Sequence, residues 1–532
     1  MKKIQIYDTT LRDGSQGEDI SFSVDDKLHI ARKLDDLGVD YIEGGWPGSN
    51  LKDMAFFRRV HELSLKRAKI AAFGSTRHPK SKPETDPNLQ ALIEAKAPVV
   101  TIFGKSWDLH VTVALGISLE ENLDLIKDSI AYLKSLGKEV IYDAEHFFDG
   151  FQADREYALA TLKAADEAGA DTLVLCDTNG GTLTEDIRER FLVAAQQTRR
   201  PLGIHTHNDS DMAVANAIIA VRHGAVHVQG TFNGYGERCG NANLCSIIPN
   251  IELKLGLHAI GREKLQDLTE VSHYVSEISN MHHRQDFPFV GKSAFAHKGG
   301  VHVSAVMKDP SAYEHIAPEA VGNERRVLIS ELSGKSNVLY KAERMGLQVD
   351  RSSPSTQVVV NKLKEMEHYG YQFEGAEASF EMLFNKLIDQ HRDFFELEGF
   401  RVITERKGNN ESLSEAVIKV RVDGIEAHTA AEGVGPVSAL DRALRKSLIT
   451  FFPCIQDIRL TDYKVRVLNA KGGTDAKVRV LIESSDGHET WSTVGVSENL
   501  IEASWLALVD SISYKLKKEL GYRKDSEAQI AK

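Results

Sequence analysis

Two histidines one residue apart, in Leu202-Gly203-Ile204-His205-Thr206-His207-Asn208-Asp209, are the residues of this chain best suited to hold a metal ion. Leu202 and Ile204 beside Gly203 and Thr206 read as a short buried strand, and side chains on a strand alternate between its faces. His205 and His207 therefore project to one side at the strand's C-terminal end. Two imidazoles converging on one side can hold a divalent cation, and Asn208 and Asp209 add oxygen atoms where the strand opens into a loop. An H-x-H pair alone is equally well explained by two polar residues at a strand end. What decides is whether the rest of the chain supplies partners.

Such partners need a frame. From the start to about residue 255 the sequence alternates strand-like runs (4–8, 41–45, 70–74, 99–103, 139–142, 172–176, 202–205, 226–230) with helical patterns such as 24–37, 119–136, 154–168 and 211–223. Several of the helical patterns stop at a glycine, at Gly38, Gly137, Gly169 and Gly224, which suits a helix C-cap. Eight β-α units in about 250 residues predict an α/β fold of the (β/α)8 TIM-barrel type. A doubly wound open sheet is the alternative, but no G-x-G-x-x-G follows the first strand.

In a barrel the site lies at the C-terminal ends of the strands, and there this chain is unusually polar. The segments are Asp8-Thr9-Thr10-Leu11-Arg12-Asp13-Gly14 after strand 1, Tyr142-Asp143-Ala144-Glu145-His146 after strand 5, Asp177-Thr178-Asn179-Gly180-Gly181-Thr182 after strand 6, and Asn233-Gly234-Tyr235-Gly236-Glu237-Arg238-Cys239-Gly240-Asn241 after strand 8. Closure sets strand 8 between strands 7 and 1, so Asp13, His205, His207 and Asn241 fall on one rim. One carboxylate, two imidazoles and an amide oxygen suit Mg²⁺ or Mn²⁺, with Zn²⁺ also allowed, and the lack of thiolates argues against structural zinc. Arg12 can polarise a carbonyl at such a site and stabilise developing negative charge, or else it pairs with Asp13 or Glu145. Gly234, Gly236 and Gly240 permit a tight loop that returns Glu237 and Asn241 over the site; Glu237 and Arg238 read as an internal salt bridge shaping that loop.

A length of 532 residues predicts two or three domains. A net charge of −12 argues against general nucleic-acid binding. The four cysteines (Cys176, Cys239, Cys245, Cys454) form no C-x-x-C pair, which fits reduced thiols in a cytoplasm. The basic start Met1-Lys2-Lys3 runs into a polar strand without an apolar signal core, and no apolar run approaches the roughly 18 residues that span a bilayer. A soluble cytoplasmic protein with no nucleic-acid or membrane partner is expected.

The motifs D-T-T-L-R-D-G at 8–14, H-T-H-N-D at 205–209 and N-G-Y-G-E-R-C-G-N at 233–241 together resemble the DRE-TIM metallolyases, and more narrowly the 2-isopropylmalate, homocitrate and citramalate synthases. The stretches E-G-G-W-P-G-S-N at 43–50 and D-A-E-H-F-F-D at 143–149 are most similar to the long citramalate synthases, and the likeness runs from end to end. The resemblance implies metal ligation by Asp13, His205 and His207, with Asn241 as a nearer or outer ligand. It implies that Arg12 polarises the ketone of a 2-oxo acid, that Thr178 and Asp143 bind that substrate, and that Glu145 serves proton transfer. The implied reaction joins acetyl-CoA to a 2-oxo acid (pyruvate for citramalate) by a Claisen-type condensation, followed by thioester hydrolysis. Phe73, Ile102, Phe103 and Tyr142 are candidates for a wall that favours the small pyruvate methyl.

The expected organisation is a catalytic barrel over 1–257, a helical subdomain over 258–395 (helical stretch 262–390) and a regulatory domain over 396–525. By the resemblance a histidine of the subdomain reaches an active site, often across a homodimer; His302 matches it better than His297, with Tyr313 as a partner phenol. His282 and His283 read as polar surface residues. From about 397 the chain repeats at an offset of 60 (Val420 and Val480, Val422 and Ile482, Gly435 and Gly495, Leu440 and Leu500, Ala443 and Ala503), which predicts two strand-strand-helix units. The family's domain of this kind binds an end-product amino acid, isoleucine if the product is citramalate; a ligand-free dimerisation domain is the alternative. Other readings are 2-isopropylmalate or homocitrate synthesis, a 3-hydroxyacyl-CoA lyase, and a non-catalytic amino-acid sensor.

Overall fold

The structure, a computed structural model, describes residues 3–329, 335–344, 354–387, 393–406, 412–468 and 476–530. Eight parallel strands close into a barrel in chain order: β1 (Gln5–Asp8), β2 (Tyr41–Gly45), β3 (Lys69–Ser75), β4 (Val99–Lys105), β5 (Glu139–Glu145), β6 (Thr172–Asp177), β7 (Leu202–Thr206) and β8 (His227–Gly230). The seam is the β1–β8 pair, with Gln5 opposite His227 and Asp8 opposite Gly230. The expected TIM barrel is the observed one.

Alternation along each strand sorts the side chains. Ile4, Ile6, Ile102, Tyr142, Leu175 and Ile204 face outward into the apolar layer shared with the surrounding helices. Tyr7, Ala71, Val99, Ile141, Val174 and Cys176 face the barrel axis. Inward positions nearer the C-terminal ends of the same strands must therefore carry the site residues.

Local signals explain where the helices start and stop. Ser23 and Asp26 form a reciprocal capping box before the helix Val24–Leu37, which ends at Gly38 in the left-handed region (φ 103°). Asp154 accepts from the Tyr157 amide ahead of the helix Arg155–Ala168, which ends at Gly169 (φ 98°). Each such helix buries leucines such as Leu34 and Leu162 against the barrel. Truncating one to alanine costs about 2–5 kcal/mol.

The chain divides into two compact units, Met1–Phe295 with Glu314–Arg325, and Ala296–Tyr313 with Arg326–Lys532. Besides the barrel, the first unit holds the helix Leu268–Ile278, and Arg325 is bound to Glu314 at 2.6 Å within it. The second unit begins with a pair of two-residue parallel strands, β9 (Ala296–His297) and β10 (Arg326–Val327), so the stretch expected to be helical is mixed; its expected end at 390 lies outside the described residues. Helices Gly300–Val306, Lys335–Arg344, Pro354–Tyr369 and Glu377–Leu387 belong to the same unit.

The C-terminal repeat is real but each unit has three strands, not two. β11 (Glu396–Arg406), β12 (Ser412–Val422) and β13 (Ile425–Gly433) precede the helix Pro436–Leu448; β14 (Arg459–Val467), β15 (Val478–Ser485) and β16 (Thr490–Ser497) precede the helix Leu500–Ile530. The outer strands β11 and β14 are largely exposed, and their apolar alternation is short (Phe400 and Val402; Tyr463, Val465 and Val467) and cut off by a register shift in each. The offset of 60 matches the central strands but drifts afterwards: Gly435 precedes a helix, whereas Gly495 lies inside β16. Among the described residues no helix is long and apolar enough to cross a membrane.

Candidate active site

The inward C-terminal positions of β1, β2, β5, β7 and β8 converge. Asp13, His205 and His207 each offer a ligand atom, and these atoms lie within 4.8 Å of one another with all three residues buried. Gln229 on β8 sets the tautomer of His205. Its Nε2 donates to Asp143 Oδ1 at 3.0 Å, which turns its Oε1 toward His205 Nδ1 at 2.9 Å. His205 Nδ1 must then carry the proton, which leaves Nε2 bare. That bare nitrogen faces His207 Nε2 at 3.2 Å and Asp13 Oδ2 at 3.5 Å.

Asn241 arrives on the glycine loop through an isolated bridge to His207. Its Nδ2 donates to the Tyr235 carbonyl at 3.2 Å, while its buried Oδ1 has no partner among the described residues. A Cβ on Gly236 would lie 2.2 Å from that Nδ2, so the loop's tightness depends on glycine there. Bare imidazole nitrogens, a carboxylate and an unpartnered amide oxygen form a donor set that fits a divalent cation.

Arg12 stands beside this group. Its Nε bonds Glu43 Oε2 at 2.6 Å, its Nη1 lies 3.2 Å from Asp13 Oδ2, and its guanidinium caps the Phe73 ring at 3.7 Å. The partners are thus Asp13 and Glu43; Glu145 pairs instead with Lys105 of the adjacent strand. Glu43 is wholly buried and also accepts from Tyr7 at 2.6 Å and from Thr9.

Electrostatics follow from this packing. Burial works against the Arg12 charge, but Asp13 and Glu43 outweigh it, and the guanidinium stays ionised. Burial also pushes the Asp13 carboxyl up, yet the Arg12 guanidinium beside it holds it below the ordinary range. His205 is pushed down by burial, and His207 to about 3 by burial and the neighbouring imidazole, so both imidazoles are neutral. Asp143 is pushed up to about 8 by burial and by Glu43.

A cavity of about 210 Å³ opens over the group, and Arg12, Asp143, Glu145, Thr178, Phe73 and Phe103 line it with Asp13, His205 and His207. Thr178 is fixed at its rim, accepting the His146 amide at 2.9 Å and, through its carbonyl, Arg238 at 2.7 Å. Of the four wall candidates, Phe73 and Phe103 face the cavity and stack at 5.4 Å. Ile102 and Tyr142 point outward, as strand alternation beside Phe103 and Asp143 requires.

Two other expectations change. Arg238 pairs with Asp209 (2.7 and 2.9 Å) rather than with Glu237, which is exposed at the cavity mouth. His283 is not a free surface group: it stacks on His273 at 3.8 Å and bonds Ser272 at 2.8 Å. His302 and Tyr313 belong to the second unit, where both are exposed and stack on one another at 4.2 Å. Glu43, Gln229 and Lys105 are the site residues that sequence reasoning missed. Each occupies an inward position near a strand's C-terminal end, and that position was the available signal.

Residues 3–275 match the HMGL-like family, residues 289–370 the homocitrate synthase post-HMGL domain-like family, and residues 374–516 the LeuA allosteric (dimerisation) domain. An (R)-citramalate synthase of Geobacter sulfurreducens is 57% identical, covering 97% of this chain and 98% of that one. One of Aquifex aeolicus is 55% identical over the same shares. A probable 2-isopropylmalate synthase of Methanopyrus kandleri is 33% identical over 96% and 98%. The fold and matched regions define an HMGL-like enzyme, and the chain belongs to the (R)-citramalate synthase branch of that family.

Proposed function

We propose that this chain is an (R)-citramalate synthase, condensing acetyl-CoA with pyruvate and hydrolysing the resulting thioester. The observation that carries the reading is the Asp13–His205–His207 group beside Arg12 in a cavity of about 210 Å³. The high identity to (R)-citramalate synthases over nearly the whole chain supports it.

Asp13, His205, His207 and Asn241 would hold a divalent cation, Mg²⁺ or Mn²⁺ before Zn²⁺, which supplies Lewis-acid polarisation of the 2-oxo acid. Thr178 positions the substrate carboxylate, and Asp143 lines the substrate cavity. Arg12, held in place by Glu43, polarises the ketone and stabilises the alkoxide charge as the new carbon–carbon bond forms. Glu145, His302 and Tyr313 serve proton transfer: a proton leaves the acetyl methyl, the enolate carbon attacks the ketone carbon, and the alkoxide regains a proton. Water then cleaves the thioester to release citramalate and CoA. A homodimer in the cytoplasm, with isoleucine as feedback effector at the LeuA-type domain, completes the reading.

The test is release of free CoA thiol from acetyl-CoA with pyruvate, 2-oxoisovalerate or 2-oxoglutarate, with Mg²⁺ or Mn²⁺ and with a chelator. Chelator-sensitive release with pyruvate alone is the expected result. Release mainly with 2-oxoisovalerate or 2-oxoglutarate would move the product to isopropylmalate or homocitrate, and no release with any acid would overturn synthase function.

A further inference from the structure

We infer that Trp46 is a specificity-determining residue, a fixed partition that limits the length of the 2-oxo acid side chain. This rests on the proposed reading of the barrel cavity as the 2-oxo acid site. The indole stands between two cavities. One is the site cavity of about 210 Å³. The other, of about 530 Å³, lies over the ends of β2, β3 and β4 and is bordered by Ser75, Arg77, His78 and Leu125. Among the described residues Trp46 and Phe103 alone line both.

The partition is built rather than incidental. Trp46 meets Phe73 edge-on at 5.8 Å and Phe103 at 5.6 Å, completing an aromatic wall beside the Arg12 guanidinium. Its Nε1 donates to Asn88 Oδ1 at 2.8 Å, and Asn88 is itself tied to the Ser75 carbonyl at 2.7 Å. Asn88 sits in the first turn of the helix Pro87–Glu94, capped by Asp86. The Trp46 amide donates to Asp53 Oδ2 at 2.8 Å, and the buried Lys27 bonds Asp53 Oδ1 at 2.5 Å. Both backbone and ring are therefore held from rigid elements.

Glycines make room for this clamp. A Cβ on Gly74 would lie 2.9 Å from Asn88 Oδ1, and one on Gly45, which has a left-handed φ of 145°, would lie 2.4 Å from the Asp53 carboxyl. A wall that cannot swing away rejects extra methylenes, whereas a mobile one yields to them. Phe103 lies on β4 and is fixed by its strand; Trp46 lies on a loop and needs the dedicated hydrogen bonds.

The experiment measures kcat/KM for CoA-thiol release with pyruvate, 2-oxobutanoate and 2-oxopentanoate in wild type, Trp46→Leu and Asn88→Ala. Trp46→Leu joins the two cavities, so its 2-oxopentanoate-to-pyruvate ratio is expected to rise about 10-fold or more, the lower end of what one methylene is worth in a tight pocket. Asn88→Ala, which frees the indole without deleting it, is expected to move the ratio the same way by a smaller factor. An unchanged ratio in a Trp46→Leu protein that still turns over pyruvate overturns the inference. If that variant is inactive or unfolded, Asn88→Ala decides alone, and an unchanged ratio there overturns it. Wild type that releases no thiol with pyruvate removes the reading of the cavity itself, a result distinct from an unchanged ratio.

Discussion

The two ends of the barrel interior both carry a buried imidazole on neighbouring strands, and they differ in everything around it. At the C-terminal end His207 meets a second imidazole, a carboxylate, an arginine and an unpartnered amide oxygen. At the N-terminal end His227 lies 5.2 Å from the Tyr7 ring and 5.7 Å from Tyr41, and neither of its nitrogens has a partner among the described residues. Burial pushes both histidines down to about 3. A depressed imidazole is therefore no mark of a site in this molecule. The mark is convergence: bare donor atoms of different chemical kinds aimed at one another, with an outer ring that fixes each one.

The comparison is broken most severely by removing a donor from the converging end. His207→Ala is expected to lower CoA-thiol release by about 1,000-fold or more, since it removes a ligand from a centre worth several kcal/mol of charge stabilisation. Activity near wild type in that variant would leave the donor group without a catalytic role. Arg12→Lys keeps the charge but loses the planar fork that meets Glu43 and Asp13, and kcat should fall by about 100- to 1,000-fold. Glu43→Gln should act in the same direction by less, because it loosens Arg12 without deleting it. Gln229→Leu leaves every ligand in place and frees the His205 ring; metal affinity measured by equilibrium titration should weaken by about 10- to 100-fold.

How much of this was legible in the sequence depended on whether a residue's neighbours along the chain announced it. The H-x-H pair, Arg12–Asp13 and the glycine loop lie in short polar runs at strand ends, and the structure brings Asp13, His205, His207 and Asn241 to one rim. Glu43 was passed over because it is a single acid between Ile42 and Gly44, and Gln229 because it follows an apolar Val228. Both sit on the inward face, two residues beyond Tyr41 and His227, so counting by twos along each strand would have found them. The same count would have removed Ile102 and Tyr142 from the wall. β11 and β14 were hard to read for another reason: they are exposed over most of their length, and a register shift in each cuts their alternation to a few residues, Phe400 and Val402 or Tyr463, Val465 and Val467. Arg238 is paired across chain segments with Asp209, a contact that only the folded loop creates.

The smallest expected effect sharpens the other end of the comparison. His227 is neutral in the folded barrel, whereas an unfolded histidine titrates near 6.5. Its folded pKa is depressed, so below pH 6.5 the unfolded chain binds a proton that the native state refuses. The stability tied to this residue is present above pH 6.5 and is lost as the pH falls toward 3. Between pH 7 and pH 5 that loss amounts to about 2 kcal/mol. Urea unfolding of wild type and His227→Leu at the two pH values should show the variant lacking this component, with CoA-thiol release at pH 7 close to wild type because His227 reaches Arg12 only through Tyr7 and Glu43. Equal pH dependence in the two proteins would mean that His227 is hydrated or protonated in the fold, and the contrast between a lone imidazole and a converging pair would then fail at its simpler end.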